Sequence, residues 1–315
     1  MPDTSGAAYT RRMDATLRTA DGLWLALREW PVPGPCGTVL IVHGLGEHIG
    51  RYAHVAERLN ADGWTVAGYD QRGHGASDGP RGRIATESAL LDDLGRVAAH
   101  VQHAHTGPHV LLGHSLGGLV AARFAAEVLV AGEPPSWYRP FDGLVLSSPA
   151  LDIGMTLPQR LLLGLLGPIA PQLAVGNGLD PRAISRDPRV VAAYRADPLV
   201  HDRVAPRLAR FMLDAGDLVR ARAQRWHLPT LLLYAGADRL VVPAGSAAFA
   251  AAAPNGVVTA HAYPELYHEV FNEPEQSRVF DDLRAWLATR ASTHVRPSDG
   301  TADLHSTTPS PEAST

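Results

Sequence analysis

The sequence predicts an α/β fold, a mostly parallel central sheet of about eight strands with helices on both faces and a helical insertion. Three observations carry that expectation. Short apolar runs alternate with longer stretches of helical period along most of the chain. Several of the short runs are apolar throughout, as strands covered on both faces are. One stretch, 152–225, breaks the alternation: it holds apolar helical clusters and several prolines but no clear strand, and the strand pattern resumes at Thr230.

Taken in order, the strands are expected at 23–30, 38–42, 64–69, 109–113, 143–147, 230–235 and 257–263. Helices are expected at 52–61, 86–105, 116–130, 244–253 and 275–289. Residues 11–151 and 226–291 then form the α/β core, and 152–225 forms a cap over the end of the sheet, where open α/β sheets bind their ligands. Residues 1–10 are polar and small and 292–315 are rich in Thr, Ser, Pro and Asp, so both are expected to be disordered.

Composition narrows the chemistry. A net charge of -4 over 315 residues gives no reason to expect nucleic acid. The chain has no lysine, which excludes Ser-Lys dyads and Schiff-base chemistry. The single cysteine, Cys36, cannot form an internal disulfide, so nothing requires an oxidising compartment. No apolar core of a secretory signal occurs in residues 1–10. The longest apolar region, 161–175, is interrupted by Gly164, Gly167, Pro168 and Pro171, so no transmembrane segment is expected. A cytoplasmic protein, peripherally membrane-associated at most, fits these features.

The most informative motif is Gly113-His114-Ser115-Leu116-Gly117, set between the strand ending Val110-Leu111-Leu112 and a helix from Leu116. A serine on a tight strand-to-helix turn projects its hydroxyl outward, and the helix N-terminus behind it favours negative charge. Serine is a weak nucleophile until a base takes its proton and a third group orients that base. Asp238 and His268 each follow a strand, in the chain order Ser, Asp, His. Alone, Asp238 reads as a turn residue and His268 as a cap or surface histidine; together they complete a triad with Ser115. The turn His43-Gly44-Leu45-Gly46 follows another apolar strand, so the backbone N–H groups of Leu45 and Leu116 are the expected oxyanion donors.

These residues, with His43-Gly44-Leu45-Gly46-Glu47-His48-Ile49-Gly50-Arg51-Tyr52 and Tyr69-Asp70-Gln71-Arg72-Gly73-His74-Gly75-Ala76-Ser77-Asp78-Gly79, resemble the α/β-hydrolase superfamily and, within it, the monoacylglycerol lipase and lysophospholipase group. The resemblance runs from about Leu17 to Leu287 and is weakest across 152–225. It implies an acylglycerol or other lipid ester as substrate, no cofactor, and a cap lining an acyl-chain tunnel. Leu157, Leu161, Leu162, Leu163, Leu165, Leu166 and Ile169 then form either an entrance that meets lipid surfaces transiently or the packing face of cap helices. It also implies a head-group role for Glu47 and Arg51, which read equally as a helix ion pair four residues apart. Phe271 stands near a position where some family members carry another polar group.

Other candidates carry less. Asp70, Arg72 and His74 read as a hydrogen-bonded turn, and His114 as packed beneath the elbow. His100, His103 and His105 lack a carboxylate or cysteine at ligand spacing, so no metal is expected. The resulting expectation is a serine hydrolase of medium- or long-chain carboxylic esters acting through an acyl-enzyme. Thioester, amide or acyl-transfer chemistry on the same triad is the alternative, and a catalytically silent ligand-binding scaffold is the alternative of another class.

Overall fold

Leucine and valine pairs of alternating orientation build the centre of the molecule. In the computed structural model, which describes residues 13–130 and 132–291, eight strands form one sheet. They are β1 (Met13–Arg18), β2 (Trp24–Trp30), β3 (Gly37–Val42), β4 (Trp64–Tyr69), β5 (His109–His114), β6 (Gly143–Ser147), β9 (Thr230–Ala235) and β10 (Val258–Tyr263). The spatial order is β1-β2-β4-β3-β5-β6-β9-β10. β2 pairs antiparallel with β1 and β4, and every later neighbour is parallel. The segments 1–10 and 292–315 expected to be disordered lie outside the described residues.

Successive strand residues serve opposite faces. Leu40, Leu111, Leu146 and Leu232 pack under α2 (Ala89–Ala104), α3 (Leu116–Ala125) and α7 (Pro243–Ala252). Val39, Ile41, Leu112, Val145 and Leu231 pack under α1 (Ala53–Ala61) and α8 (Gln276–Ala291). Each fully buried Leu or Ile contributes about 1.5–3 kcal/mol.

Most element bounds fall within a few residues of expectation. The unnamed eighth strand is β1, an edge strand whose side chains are mostly exposed. The helix expected to reach residue 130 stops at Ala125 and tightens into a 3-10 turn, Ala126–Leu129. The stretch 152–225 does contain strand: β7 (Val175–Gly176) pairs antiparallel with β8 (Arg203–Val204). Its helices are α4 (Leu157–Ile169), α5 (Pro188–Ala196) and α6 (Pro206–Arg222). Proline stands at the start of α5 and α6, where its missing N–H would have had no partner. α6 packs on α3 and buries Leu208, Phe211, Ala215 and Val219 in the core, so the end of the insertion is structurally part of the α/β body.

From β3 the chain crosses to β4 on one side, and the next strand, β5, lies on the other. Strand order reverses there, and a crevice opens beyond the carboxyl ends of β3 and β5. The turns carrying His43-Gly44-Leu45 and His114-Ser115 flank that crevice.

Candidate active site

Ser115 has φ +52° and ψ -118°, a conformation costing about 1–3 kcal/mol for a residue with a Cβ. Three backbone hydrogen bonds hold it. Its N–H donates to the Ser147 carbonyl, and its carbonyl accepts from the Leu119 and Ala150 N–H groups, each at 3.0 Å. The flanking glycines make the turn possible. A Cβ on Gly113 would lie 2.4 Å from the Gly117 carbonyl oxygen, and one on Gly117 would lie 2.1 Å from that of Val42. Ser148, just after β6, is the other non-glycine residue of positive φ among the described residues.

His268 follows β10 and Asp238 follows β9. The His268 Nδ1–H donates to Asp238 Oδ2 at 2.7 Å, and Asp238 Oδ1 accepts from the Leu240 and Val241 N–H groups at 2.8 and 3.1 Å. The two side chains are 5% and 1% exposed. Burial opposes charge on the His268 ring, but the Asp238 carboxylate beside it and the hydrogen bond between them prevail, so the imidazole is held above the ordinary histidine value. Burial likewise opposes charge on Asp238, yet His268 and the two backbone donors keep its carboxyl below the usual range. With Nδ1 committed to Asp238, Nε2 is the nitrogen left to accept a proton.

His114 packs its ring 4.8 Å from that of His268 and pairs through Nδ1 with Ser147 Oγ at 3.0 Å. Burial and the neighbouring His268 push it down to about 4, so at neutral pH it is an uncharged wall behind the His268 ring.

Ser115 and His268 line one cavity of about 600 Å³ together with Gly44 and Leu45. Gly44 approaches so closely that a Cβ there would lie 3.2 Å from Ser115 Cβ. The Leu45 N–H takes no partner among the described residues, and the Leu116 N–H opens the first turn of α3, where no carbonyl of the helix can reach it. Ile153, Met155, Leu179, Met212 and Val241 supply apolar wall, and Asn177, Asp180, Arg195 and Asp202 a polar one.

Glu47 and Arg51 do pair, and a third group that the sequence reading missed joins them. Arg51 donates to both oxygens of Glu269 at 2.7 Å and also to Glu47 Oε2. Glu47 Oε1 accepts from the Gly44 N–H at 2.5 Å and from the Tyr52 hydroxyl at 2.7 Å. Tyr194 of α5 covers the guanidinium at 4.8 Å. Burial would raise Glu47, but Arg51, the His114 and His43 rings and the Tyr52 hydroxyl together outweigh it and hold the carboxyl down to about 2. Glu47 and Glu269 line the cavity. The Glu47–Arg51–Glu269 cluster thus connects the Gly44–Leu45 turn to the residue after His268. One signal was available: Glu269 is a lone carboxylate between His268 and the apolar pair Val270-Phe271.

Phe271 turns away into the core against Phe280. Asp70 accepts from the Ile49 and Ala76 N–H groups, and Arg72 bridges Asp93 and Asp21, so that segment is a structural turn. Along α4, Leu157, Leu161, Leu162, Leu165 and Ile169 are exposed, from 55% to 80%; the side chain of Leu166 is outside the described residues. No helix among the described residues is long and apolar enough to cross a membrane.

Residues 33–275 match the family model described as serine aminopeptidase, S33. A monoacylglycerol lipase of Mycolicibacterium smegmatis is 37% identical over 283 residues, which span 88% of this chain and 98% of that protein. A phospholipase of Bacillus subtilis is 32% identical over 266 residues, 82% of this chain and 97% of its own. The crystal structure of Paleococcus ferrophilus monoacylglycerol lipase superimposes with a TM-score of 0.73 at 32% identity, covering 89% of this chain and 99% of that one.

Proposed function

This chain belongs to the serine aminopeptidase S33 family of α/β-hydrolases and is a carboxylic ester hydrolase, and from that premise we propose a monoacylglycerol lipase-like reaction on the Ser115–His268–Asp238 triad. Ser115 Oγ attacks the ester carbonyl while His268 Nε2 takes its proton. The Leu45 and Leu116 N–H groups hold the oxyanion. His268 gives the proton to the departing alcohol, leaving an acyl-enzyme. Water then attacks that ester with His268 again as base, and the carboxylic acid leaves.

The observation that carries this reading is the buried Asp238–His268 pair, whose histidine faces the same cavity as a serine held in a strained elbow. The substrate class is drawn from the relatives that span nearly the whole chain, a monoacylglycerol lipase and a phospholipase. The apolar cavity wall suits an acyl chain. Residues 152–225 act as the cap in this reading, and the exposed α4 leucines as its transient contact with lipid surfaces.

Fluorophosphonate labelling tests the nucleophile. Wild-type protein is expected to label, and Ser115→Ala to lose labelling and turnover by about 10⁴-fold or more. Equal labelling of the variant would refute the assignment. A panel of monoacylglycerols of graded length, a lysophospholipid, a thioester and an aminoacyl anilide fixes the substrate. Preference for the anilide would favour the peptidase alternative.

A further inference from the structure

Glu273 lies between His268 and α8 and is fully buried. Its carboxylate takes four hydrogen bonds. Oε1 accepts from Ser185 Oγ at 2.9 Å and from the Arg186 N–H at 2.5 Å. Oε2 accepts from Arg186 Nε at 2.6 Å and from the Tyr267 N–H at 2.9 Å. Three donors therefore come from the insertion, just before α5, and the fourth is the backbone of the residue preceding His268. On the other side of His268, the Glu269 N–H donates to the Ile184 carbonyl at 2.8 Å. Both neighbours of His268 are thus tied to residues 184–186.

A buried carboxylate is costly to desolvate, and a loop can be closed by backbone bonds alone. Here the charge is used to gather donors from two separate segments onto one rigid acceptor. Arg186 neutralises it and extends outward to Glu275. We propose that Glu273 is a positioning residue that seats the His268 loop on residues 184–186 of the insertion, aligning the base with Ser115 only while that linker is docked. This rests on the hydrolase reading of Ser115 and His268. Motion of α4 leaves the anchor intact, whereas displacement of the linker releases the backbone on both sides of His268.

The experiment uses the full chain with p-nitrophenyl butyrate, a soluble ester. In Glu273→Gln one oxygen acceptor becomes a donor facing donors. The expected result is a fall in kcat of about tenfold with KM held within about twofold. Fluorophosphonate labelling of Ser115 should slow by a similar factor. The acid limb of the pH profile should stay in place, because Asp238 is untouched. Arg186→Met, at a partly exposed position, should lower kcat in the same direction and decides the matter if Glu273→Gln does not fold. Ser115→Ala and His268→Ala run alongside. If either turns over like wild type, the hydrolase assignment itself fails. If both are silent while the folded Glu273 and Arg186 variants keep kcat within about twofold and lose only Tm, the clamp is merely structural and the proposal is overturned. A rise in KM at unchanged kcat overturns it as well.

Discussion

His268 sets the pH response at the scale of a single residue. In the proposed mechanism its imidazole must be neutral to accept the Ser115 proton, and Asp238 holds its pKa above the ordinary 6.5. Activity is therefore lost as pH falls through a value higher than that of an ordinary histidine. The acid limb of kcat/KM should lie above pH 6.5 on a soluble ester. Asp238→Asn removes the charge that raises it. We expect the limb to move down and the plateau to drop about 10⁴-fold, as a mis-set tautomer requires. Arg51 gives a second prediction. Arg51→Met leaves Glu47 and Glu269 buried without their cation, which costs about 3–5 kcal/mol and should appear as a lower Tm. The sign with pH follows from Glu47, held near about 2 against an ordinary 4.5. Its stabilising contribution is complete above pH 4.5 and fades as pH falls toward 2. The Tm deficit of Arg51→Met should therefore be largest above pH 4.5 and narrow as pH falls toward 2. If Arg51 instead bound the head group, the variant would raise KM for monoacylglycerol far more than for a p-nitrophenyl ester.

At the scale of elements, the elbow between β5 and α3 was legible because its constraint is local. Two glycines spaced around a serine are needed whenever the turn closes this tightly, and Gly117 against the Val42 carbonyl is the instance. β1 was harder to read. It is an edge strand with mostly exposed side chains, so it carries little of the apolar run that marked the others. β7 and β8 are two residues each, too short for any period to register. α4 gives a prediction of its own. Leu157, Leu161, Leu162 and Leu165 are exposed rather than packed, which favours the lipid-contact reading. Partial insertion of each is worth about 1 kcal/mol, so Leu161→Ser with Leu165→Ser should weaken partitioning to lipid roughly thirtyfold. Turnover of emulsified monoacylglycerol should fall while hydrolysis of a dissolved short ester stays unchanged. An equal loss on both substrates would show that these leucines support the fold.

For the whole molecule, the central strands are covered on both faces, and neighbouring residues of one strand belong to different cores. Leu231 packs with α1 and α8, Leu232 with α2, α3 and α7, and both are fully buried. Leu231→Ala and Leu232→Ala should each destabilise by about 2–5 kcal/mol in urea unfolding. In a sheet with one wet face only one of the pair would. The insertion belongs to the same body through α6, and its segment between α5 and α6 reaches the turn after β3, where the His201 N–H donates to the Gly46 carbonyl at 2.9 Å.

Sequence alone determined what is periodic or local in this protein. The αβ alternation, the Gly-x-Ser-x-Gly elbow, the glycine turn after β3 and the order Ser115, Asp238, His268 all have signatures within a few residues. Tertiary structure alone decided how the parts lock. Glu269 reaches Arg51 across 218 positions, His114 stands behind His268, and Ser185 and Arg186 close on Glu273 across 88 and 87. A buried charge must find its partner wherever the fold brings one, and such a partner leaves no spacing to read along the chain.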